Sequence, residues 1–351
     1  MSKSRRTFPQ NLQTHYDCCN LCPRRCGADR TRGRRGFCGQ GQALRLAWAG
    51  IHCGEEPPVT AQKGSGTVFF TGCTLKCSFC QNHQISHEGL GAEVSTDTLA
   101  MIFLDLQKQG AENINLVTAT PFIPSIIDSV RLAQKRGLSV PILWNTSGYE
   151  SGESLELLDS FVDIYLPDLK TLDPVLSDRL FAAPDYPEVA RIALIRMTES
   201  TEAVFEGDKL QRGVMVRHLV LPGELESTKE VLQWYRENLY GRALLSLMFQ
   251  YTPVSHGQPV PAHPRPSASF GRESGGATPS SSNTPIPLSN RRVKRNEYDL
   301  VFKWLEELKI EEGFVQEFAS DEAWLPDFSR LNPFAADLSR AVWHYHEGFV
   351  E

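Results

Sequence analysis

The chain has 351 residues, of which 41% are hydrophobic, so it is long enough to bury a full-sized core in one large domain or in two. Lys and Arg total 36 against 42 for Asp and Glu, which gives a net charge of −6. This composition provides no global positive field to hold a nucleic acid by counterion release, so nucleic acid is not expected as a partner.

The cellular location is predicted from what the sequence lacks. The basic start, MSKSRRTFPQNLQTHYD, carries no apolar core of signal-peptide length, and no later segment approaches the roughly 18 uninterrupted apolar residues of a membrane span. We therefore expect a cytoplasmic protein that has no membrane partner. All nine cysteines lie between Cys18 and Cys80, and such clustering in a reducing compartment favours metal binding over disulfides.

Four segments of different composition organise the chain. Residues 1–66 are a Cys-, Gly- and Arg-rich extension, expected to be irregular, too poor in apolar runs to fold alone, and the location of a candidate second metal site. Residues 67–255 are expected to form the core, and residues 256–290 a disordered insertion rich in Pro, Ser and Gly. Residues 291–351 are predicted to form a helix and a tail that pack back on the core.

The core segment alternates short β-rich runs with amphipathic stretches. After a cap at Ser95 or Thr96, apolar residues at i, i+3, i+4 and i+7 predict a helix that ends at Gly110. Six such β/α units make an open barrel or a doubly wound sheet, and in both the carboxyl ends of the strands face the site. The predicted strands are TVFFTG, INLVT, PILWN, VDIYLPDLK, MVRHLVLPG and LLSLMFQY.

Three cysteines lie on one loop, directly after the first predicted strand. Cys73, Cys77 and Cys80 form the run CTLKCSFC, spaced CxxxCxxC. Three thiolates can hold three irons of a [4Fe-4S] cube and leave the fourth iron open to a small molecule, whereas structural zinc and electron-transfer clusters take four ligands. The triad therefore favours an open cluster. The alternative is a zinc site or an unpaired cysteine cluster that takes Cys53 as a fourth ligand.

In its strand context, CTLKCSFC resembles the signature of the radical S-adenosylmethionine (SAM) enzymes. The resemblance implies a [4Fe-4S] cluster that binds SAM through its amino and carboxylate groups, cleaves it reductively to a 5′-deoxyadenosyl radical, and so starts hydrogen abstraction from a substrate. Cys73, Cys77 and Cys80 would be catalytic through the cluster, and Phe79 would lie against the adenine. The expected fold is α/β, a partial (β/α)6 TIM-like barrel with an irregular Cys-rich N-terminal extension and a C-terminal helical extension.

Later segments resemble the pyruvate formate-lyase activating enzymes. WNTSGY, VDIYLPDLK, MVRHLVLPG and LLSLMFQYTP match, in order, the strand ends of that family, and TATPFIP, WLPDF and NPF resemble its activating-enzyme-like subgroup without a known substrate. The match implies that Asn145 and Asp168 lie near the cofactor carboxylate. It also implies that Lys170 and Arg217 counter carboxylate charge.

One segment departs from that family. Activating enzymes carry a GGE-type loop after the second strand to receive the cofactor amino group, and this chain has VTATPF there. The hydroxyl and carbonyl oxygens of Thr118 and Thr120 can accept hydrogen bonds from an ammonium group. These two threonines are therefore the candidate contacts to the amino group.

Four further cysteines precede the core, in the run CNLCPRRC and in a later FC. They could hold a second [4Fe-4S] cluster that relays electrons, or a structural zinc that organises this segment. The arginines between them could suggest a nucleic-acid-binding zinc knuckle, but aromatic residues for base stacking are missing, which favours a solvated or partner-facing basic patch. The four cysteines are Cys19, Cys22, Cys26 and Cys38, and the arginines are Arg24, Arg25, Arg30, Arg32, Arg34 and Arg35.

The predicted function is that of a radical SAM oxidoreductase of the glycyl-radical-activating type. Its expected partners are a glycyl radical enzyme as protein substrate and a flavodoxin or ferredoxin as electron donor, both implied by the resemblance. One alternative keeps the radical chemistry and directs it at a small metabolite or a peptide. The other is a zinc-binding adaptor without catalytic activity.

Overall fold

A computed structural model of the protein describes residues 8–254, 288, 290–318, 325–335 and 338–350. The predicted disordered insertion at 256–290 lies outside the described residues apart from Leu288 and Asn290. Within the described ranges, no helix is both long enough and apolar enough to cross a bilayer.

Helices and strands alternate through the core. The helices of the described ranges are α1 (Thr14–Asp17), α2 (Pro57–Thr60), α3 (His83–Ser86), α4 (Thr96–Lys108), α5 (Ile123–Lys135), α6 (Gly152–Leu158), α7 (Pro174–Phe181), α8 (Tyr186–Ser200), α9 (Leu225–Asn238) and α10 (Arg295–Glu307). The strands are β1 (Arg45–His52), β2 (Ser65–Phe70), β3 (Ala92–Glu93), β4 (Ile114–Val117), β5 (Ile142–Thr146), β6 (Ile164–Pro167), β7 (Val204–Glu206), β8 (Lys209–Leu219), β9 (Leu244–Met248), β10 (Gly313–Val315), β11 (Ser339–His344) and β12 (Gly348–Phe349).

The strands form one large, mostly parallel sheet. Its spatial order is β10-β9-β8-β6-β5-β4-β2-β1-β11-β12, and every neighbouring pair from β10 to β2 is parallel. In the described part of the chain β10 and β12 end the sheet without pairing with each other, so the barrel is unclosed. The predicted partial barrel is confirmed, and each of the six predicted strands is present.

Burial explains why these segments form the sheet. Every residue of β2, β4, β5 and β6 is buried, as expected for parallel strands covered on both faces. The predicted helix is α4, which begins after Ser95, whose side chain accepts a hydrogen bond from the backbone N–H of Thr98 at 3.0 Å. Its apolar stripe, Leu99, Ile102, Phe103 and Leu106, packs in the core.

The N-terminal extension is more ordered than the sequence predicts. Its eight-residue strand β1 pairs antiparallel with β2 on one side and with β11 on the other, so the sheet runs across the predicted boundary at residue 66. The expectation of an irregular extension is wrong for this strand because small residues give it a weak apolar signal. Gly50 is required there, since a Cβ at this position would lie 2.3 Å from the carbonyl oxygen of Arg340.

The C-terminal tail packs back on the sheet, as predicted. In addition to α10, it supplies β11 and two phenylalanines that contact the first strands. The ring centroid of Phe328 lies 5.0 Å from that of Phe69, and the centroid of Phe334 lies 5.9 Å from that of Trp48. These contacts pack the tail against the antiparallel end of the sheet.

Candidate functional site

The carboxyl ends of the parallel strands surround one cavity of about 560 Å³. This volume is in the usual range of small-molecule sites, and its position is the one expected for an open α/β barrel. Each parallel strand contributes a residue at or just beyond its end: Phe70, Val117, Thr146, Asp168, Leu219, Met248 and Val315.

The three-cysteine loop forms one wall of this cavity. It leaves β2 through Gly72, which has a φ of +85° and where a Cβ would lie 2.7 Å from the carbonyl oxygen of Cys38, so a side chain is excluded. The loop then turns so that the backbone N–H of Cys80 donates to the carbonyl of Cys77 at 3.2 Å. Cys73, Cys77 and Cys80 all line the cavity, as the spacing predicts.

The sulfurs of this loop are withdrawn from solvent and face cations. Burial raises the pKa of the Cys73 thiol to about 11 and also raises the pKa of Cys77 and of Cys80, while the charge of Lys170 opposes the rise at all three. Binding of a metal group would therefore release protons from the thiols and place the thiolates beside a lysine ammonium.

The donor set fits an open iron-sulfur cluster better than a single zinc ion. Structural zinc takes four protein ligands, whereas a [4Fe-4S] cluster held by three thiolates keeps one iron open. Cys53, the alternative fourth ligand, is exposed and does not line the cavity. The triad therefore opens on the cavity without a fourth thiol.

A partly buried lysine–aspartate pair follows β6. Lys170 Nζ lies 2.6 Å from Asp168 Oδ2, and both side chains line the cavity. Burial alone would lower the pKa of Lys170, but the Asp168 carboxylate outweighs it and holds that pKa above its usual value. The hydroxyl of Tyr186 donates to the carbonyl oxygen of Asp168 at 2.9 Å and accepts from the backbone N–H of Lys170, which fixes this loop. Both predicted residues thus lie together, as an ion pair.

Arg217 on β8 also lines the cavity, but its described partners are carboxylates of the chain itself. Its Nε lies 2.7 Å from Glu56 Oε1, and its Nη2 pairs with both Glu55 and Glu56. Ser246 Oγ donates to Glu56 at 2.7 Å, and Asn115 Nδ2 donates to Glu55 at 2.9 Å. The predicted role of Arg217 in countering carboxylate charge is therefore met within the protein.

Sequence reasoning missed Glu55 and Glu56. They follow β1 in the run GEEPP, and the signal that could have found them is the pair of adjacent carboxylates itself, just after the segment LAWAGIH, which the structure shows to be a strand. Two carboxylates share the single guanidinium of Arg217, and Asp168 is balanced by Lys170. These five side chains therefore leave the cavity wall with one excess negative charge.

The two candidate threonines are separated by the structure. Thr118 lines the cavity at the end of β4 with a φ of +57°, a strained conformation for a β-branched residue that is typical of functional sites. Thr120 does not line it, because the short 3-10 turn that begins there directs its hydroxyl to Glu150 Oε1 at 2.7 Å. Its predicted contact with the cofactor amino group is not supported by this position.

The remaining predicted residues fall in two places. Asn145, at the end of β5, and Phe79, between the last two loop cysteines, both line the large cavity. The ring centroid of Phe79 lies 6.3 Å from that of Tyr251, so it belongs to an apolar part of the wall. The four N-terminal cysteines surround a separate, smaller cavity instead.

Comparison with known proteins identifies the core. Residues 67–235, from β2 into α9, match the Radical SAM superfamily. Over this stretch the chain is similar to the radical SAM enzymes. The match includes the loop of Cys73, Cys77 and Cys80, together with every parallel strand from β2 to β8.

Individual relatives of the chain are distant. An uncharacterised protein of Methanocaldococcus jannaschii, MJ0674, is 27% identical over 252 residues, which are 69% of this chain and 68% of that protein. Among solved structures, Streptococcus suis SuiB is similar at 15% identity and a TM-score of 0.43, with 71% of this chain covering 48% of SuiB.

Two complexes of SuiB are similar at the same level. The complex with the precursor peptide SuiA gives 14% identity and a TM-score of 0.44, and the complex with S-adenosylmethionine gives 16% and 0.42. The chain spans about half the length of SuiB in each case. These values are too low to support an argument about activity or substrate.

Proposed function

We propose that the protein is a radical SAM enzyme in which Cys73, Cys77 and Cys80 hold a [4Fe-4S] cluster and the large cavity holds SAM beside it. The observation that carries the proposal is the open triad: three thiols on one loop line the cavity, and among the described residues no fourth thiol lines it with them. When bound there, the cluster would supply the electron that cleaves SAM reductively to a 5′-deoxyadenosyl radical.

The chain's own residues would position SAM. Lys170 lines the cavity together with the three cysteines, and its charge lowers the pKa of all three thiols, so it would balance thiolate or carboxylate charge at the cluster. Thr118 and Asn145 present polar groups at the ends of adjacent strands, where they would accept from the amino group or donate to the carboxylate of SAM. Phe79 would cover the adenine.

Apolar side chains of the wall would keep water from the reactive radical. Phe70, Leu75, Phe79 and Leu221 line the cavity and are buried, so they place a low-dielectric surface beside the cysteine loop. Exclusion of water protects a reactive intermediate from side reactions and strengthens the electrostatic contacts inside the site. This lining fits a site that generates a carbon radical.

For the substrate, we keep the glycyl residue of a partner enzyme as the first candidate, supported by the resemblance of the strand-end segments to the activating enzymes. A second candidate is favoured by the cavity wall. The unit of Glu55, Glu56 and Arg217 carries one excess negative charge, which suits a small molecule or a peptide residue with a positive charge, because a buried charge is stable only when it is paired.

Release of 5′-deoxyadenosine tests the radical chemistry. Protein reconstituted anaerobically with iron and sulfide, then given dithionite and SAM, is expected to form 5′-deoxyadenosine, measured by liquid chromatography. Cys77→Ala is expected to abolish both this product and the iron-sulfur absorbance of the loop. Cys18→Ala is the matched control, because Cys18 is exposed and lines neither cavity.

One result would reject the proposed chemistry, and a second measurement separates the two substrate candidates. An intact cluster that yields no 5′-deoxyadenosine would reject radical SAM chemistry and favour the zinc-binding adaptor. Electron paramagnetic resonance separates the two substrate candidates. A glycyl radical signal on a co-purifying partner enzyme supports the first candidate, activation of that enzyme. Substrate-dependent 5′-deoxyadenosine formation with a cationic peptide or metabolite, without a protein radical, supports the second candidate.

A further inference from the structure

The four N-terminal cysteines converge on a cavity of their own. Cys19, Cys22, Cys26 and Cys38 all line a space of about 10 Å³, which is separate from the large cavity. A Cβ on Gly36 would lie 2.8 Å from the sulfur of Cys26 and 3.7 Å from that of Cys38, so these two sulfurs flank the same glycine.

The backbone of this segment is folded to bring the sulfurs together. The N–H of Cys19 donates to the carbonyl of Ala28 at 3.1 Å, and the N–H of Gly27 returns to the carbonyl of Cys19 at 3.1 Å. The N–H of Arg25 donates to the carbonyl of Cys22 at 3.0 Å. The run CNLCPRRC therefore forms a tight pair of turns, and its three cysteines lie on the inner side, where they face the cavity.

Arg30 provides the second, independent observation. Its side chain is 1% exposed, yet in the described residues it forms no ion pair with a carboxylate. It donates to the carbonyl of Pro121 at 2.6 Å, to the carbonyl of Gly41, and to the sulfur of Cys19 at 3.8 Å, and its guanidinium lies over the ring of Tyr16 at 4.7 Å. A buried cation requires a negative partner.

Thiolates coordinated to a metal would be that partner. Four thiolates on a divalent ion carry a net charge of about −2, and four thiolates on an oxidised [4Fe-4S] cluster carry the same charge. Arg30 lines the same small cavity as the four cysteines, and its Nη1 donates to the sulfur of Cys19 at 3.8 Å, so its guanidinium faces the sulfurs. The expected basic surface patch is therefore wrong for Arg30, which faces the sulfurs.

We propose that Cys19, Cys22, Cys26 and Cys38 form a closed four-thiolate metal centre whose negative charge is balanced by the buried guanidinium of Arg30. The centre holds zinc or a second [4Fe-4S] cluster. In the described residues no three metal-binding side chains are already spaced for a single ion, so the cysteine side chains rotate inward on binding. A site with four protein ligands leaves no open position for a substrate.

The centre lies directly behind the catalytic loop. Arg24, from the same turns, donates through Nε to the carbonyl of Thr74 at 3.1 Å, one residue beyond Cys73, and also donates to the carbonyl of Ala182. Thr74 and Pro121 line the same small cavity as the four cysteines. The metal centre therefore braces the start of the loop that forms the wall of the large cavity.

Metal analysis of protein without the catalytic cysteines tests the site. The triple variant Cys73→Ala, Cys77→Ala and Cys80→Ala, purified anaerobically, is expected to retain about one zinc, or about four iron and four sulfide, per chain. Adding Cys22→Ser is expected to remove this metal, whereas adding Cys18→Ser, the matched control, is expected to leave it. A folded triple variant without stoichiometric metal would overturn the site, whatever the outcome of the 5′-deoxyadenosine assay. If the triple variant does not fold, the same Cys22→Ser and Cys18→Ser comparison is made in the full chain, where equal metal contents would overturn the site.

The charge partner is tested separately. Arg30→Met is expected to weaken metal retention by about 10- to 100-fold in competition with a chelator, as is common for residues that support metal ligands. Arg32→Met is the control, since the side chain of Arg32 is 86% exposed. Equal retention in the two variants would show that Arg30 does not balance the centre.

Discussion

Removing the positive charge of Arg217 should destabilise the protein, because two buried carboxylates then lose the cation that they share. In the native protein the side chains of Glu55 and Glu56 are 9% and 8% exposed, and both pair with the Arg217 guanidinium. Arg217→Met keeps a long side chain and removes the charge. Each carboxylate then keeps one side-chain hydrogen bond, from Asn115 to Glu55 and from Ser246 to Glu56, so the variant has one more unpaired buried negative charge than the native protein.

Protonation of one carboxylate sets an upper limit on the cost. At pH 7, protonating a glutamate with an ordinary pKa of about 4.3 requires about 3.7 kcal/mol, since each pH unit is worth about 1.4 kcal/mol. This agrees with the roughly 3–5 kcal/mol lost when one partner of a buried ion pair is removed. We therefore expect Arg217→Met to lower the free energy of unfolding by about 3–4 kcal/mol at pH 7. Anaerobic urea unfolding followed by circular dichroism measures this change.

The pH dependence provides a second check. Burial alone would raise the pKa of Glu56, but the Arg217 charge and the hydrogen bonds from Arg217 and Ser246 hold it below its usual value. In the native protein this stabilisation is fully present above about pH 4.3 and is lost as the pH falls through the lowered pKa. In the variant one carboxylate has a raised pKa, so the deficit should shrink to about 1 kcal/mol at pH 5.

The matched control is Arg196→Met. Arg196 lies 3.3 Å from Asp159 and its side chain is 49% exposed, so its loss should change the free energy of unfolding by less than about 0.5 kcal/mol. If both variants lost the same small free energy at pH 7, the argument that Arg217 serves the buried carboxylates would be refuted.

Three further predictions concern the loops and strands around the site. Gly148→Ala should lower the midpoint of urea unfolding more than Gly223→Ala does. A Cβ at Gly148 would lie 2.4 Å from the Asp168 carbonyl oxygen, whereas Gly223 has a similar positive φ but open space around it. Equal midpoints of the two variants would contradict this reasoning. Burial lowers the pKa of His218 to about 4, so below pH 6.5 the native state binds fewer protons than the unfolded state. The free energy of unfolding should therefore fall by up to about 3 kcal/mol between pH 6.5 and pH 4. His218→Gln should flatten that fall, measured by urea unfolding at each pH. Burial raises the pKa of Glu150, so the free energy of unfolding should fall as the pH rises from about 4.5. Glu150→Gln should remove this pH dependence. Parallel pH profiles of stability for the two proteins would contradict the role of Glu150.

The parallel strands could be predicted because they are apolar on both faces. Runs such as INLVT and PILWN are short, apolar and bounded by turn residues, and β4 and β5 are buried throughout. Strand β1 could not be recognised in the same way, because Ala47, Ala49 and Gly50 make room for its neighbours and contribute little hydrophobicity. Only the tertiary partners β2 and β11 give this segment its strand conformation.

The candidate site was predictable where sequence neighbours supply it. Cys73, Cys77 and Cys80 share one loop, so their spacing alone brings them together. Glu55 and Arg217 are far apart in the chain, and only the sheet order places β1 and β8 so that the two meet in one cavity. Thr120 shows the opposite error, since a local turn removes from the cavity a residue that the sequence places beside Thr118.

The position of β1 in the sheet has a consequence during biosynthesis. One neighbour, β2, is the next strand in the chain, but the other, β11, is synthesised only after all the parallel strands. Until then β1 presents an open edge of unpaired backbone groups, including the buried Trp48, which is a template for aberrant pairing with another nascent chain. Production of soluble protein should therefore depend on chaperone supply and on slow expression at low temperature more strongly than the finished fold suggests.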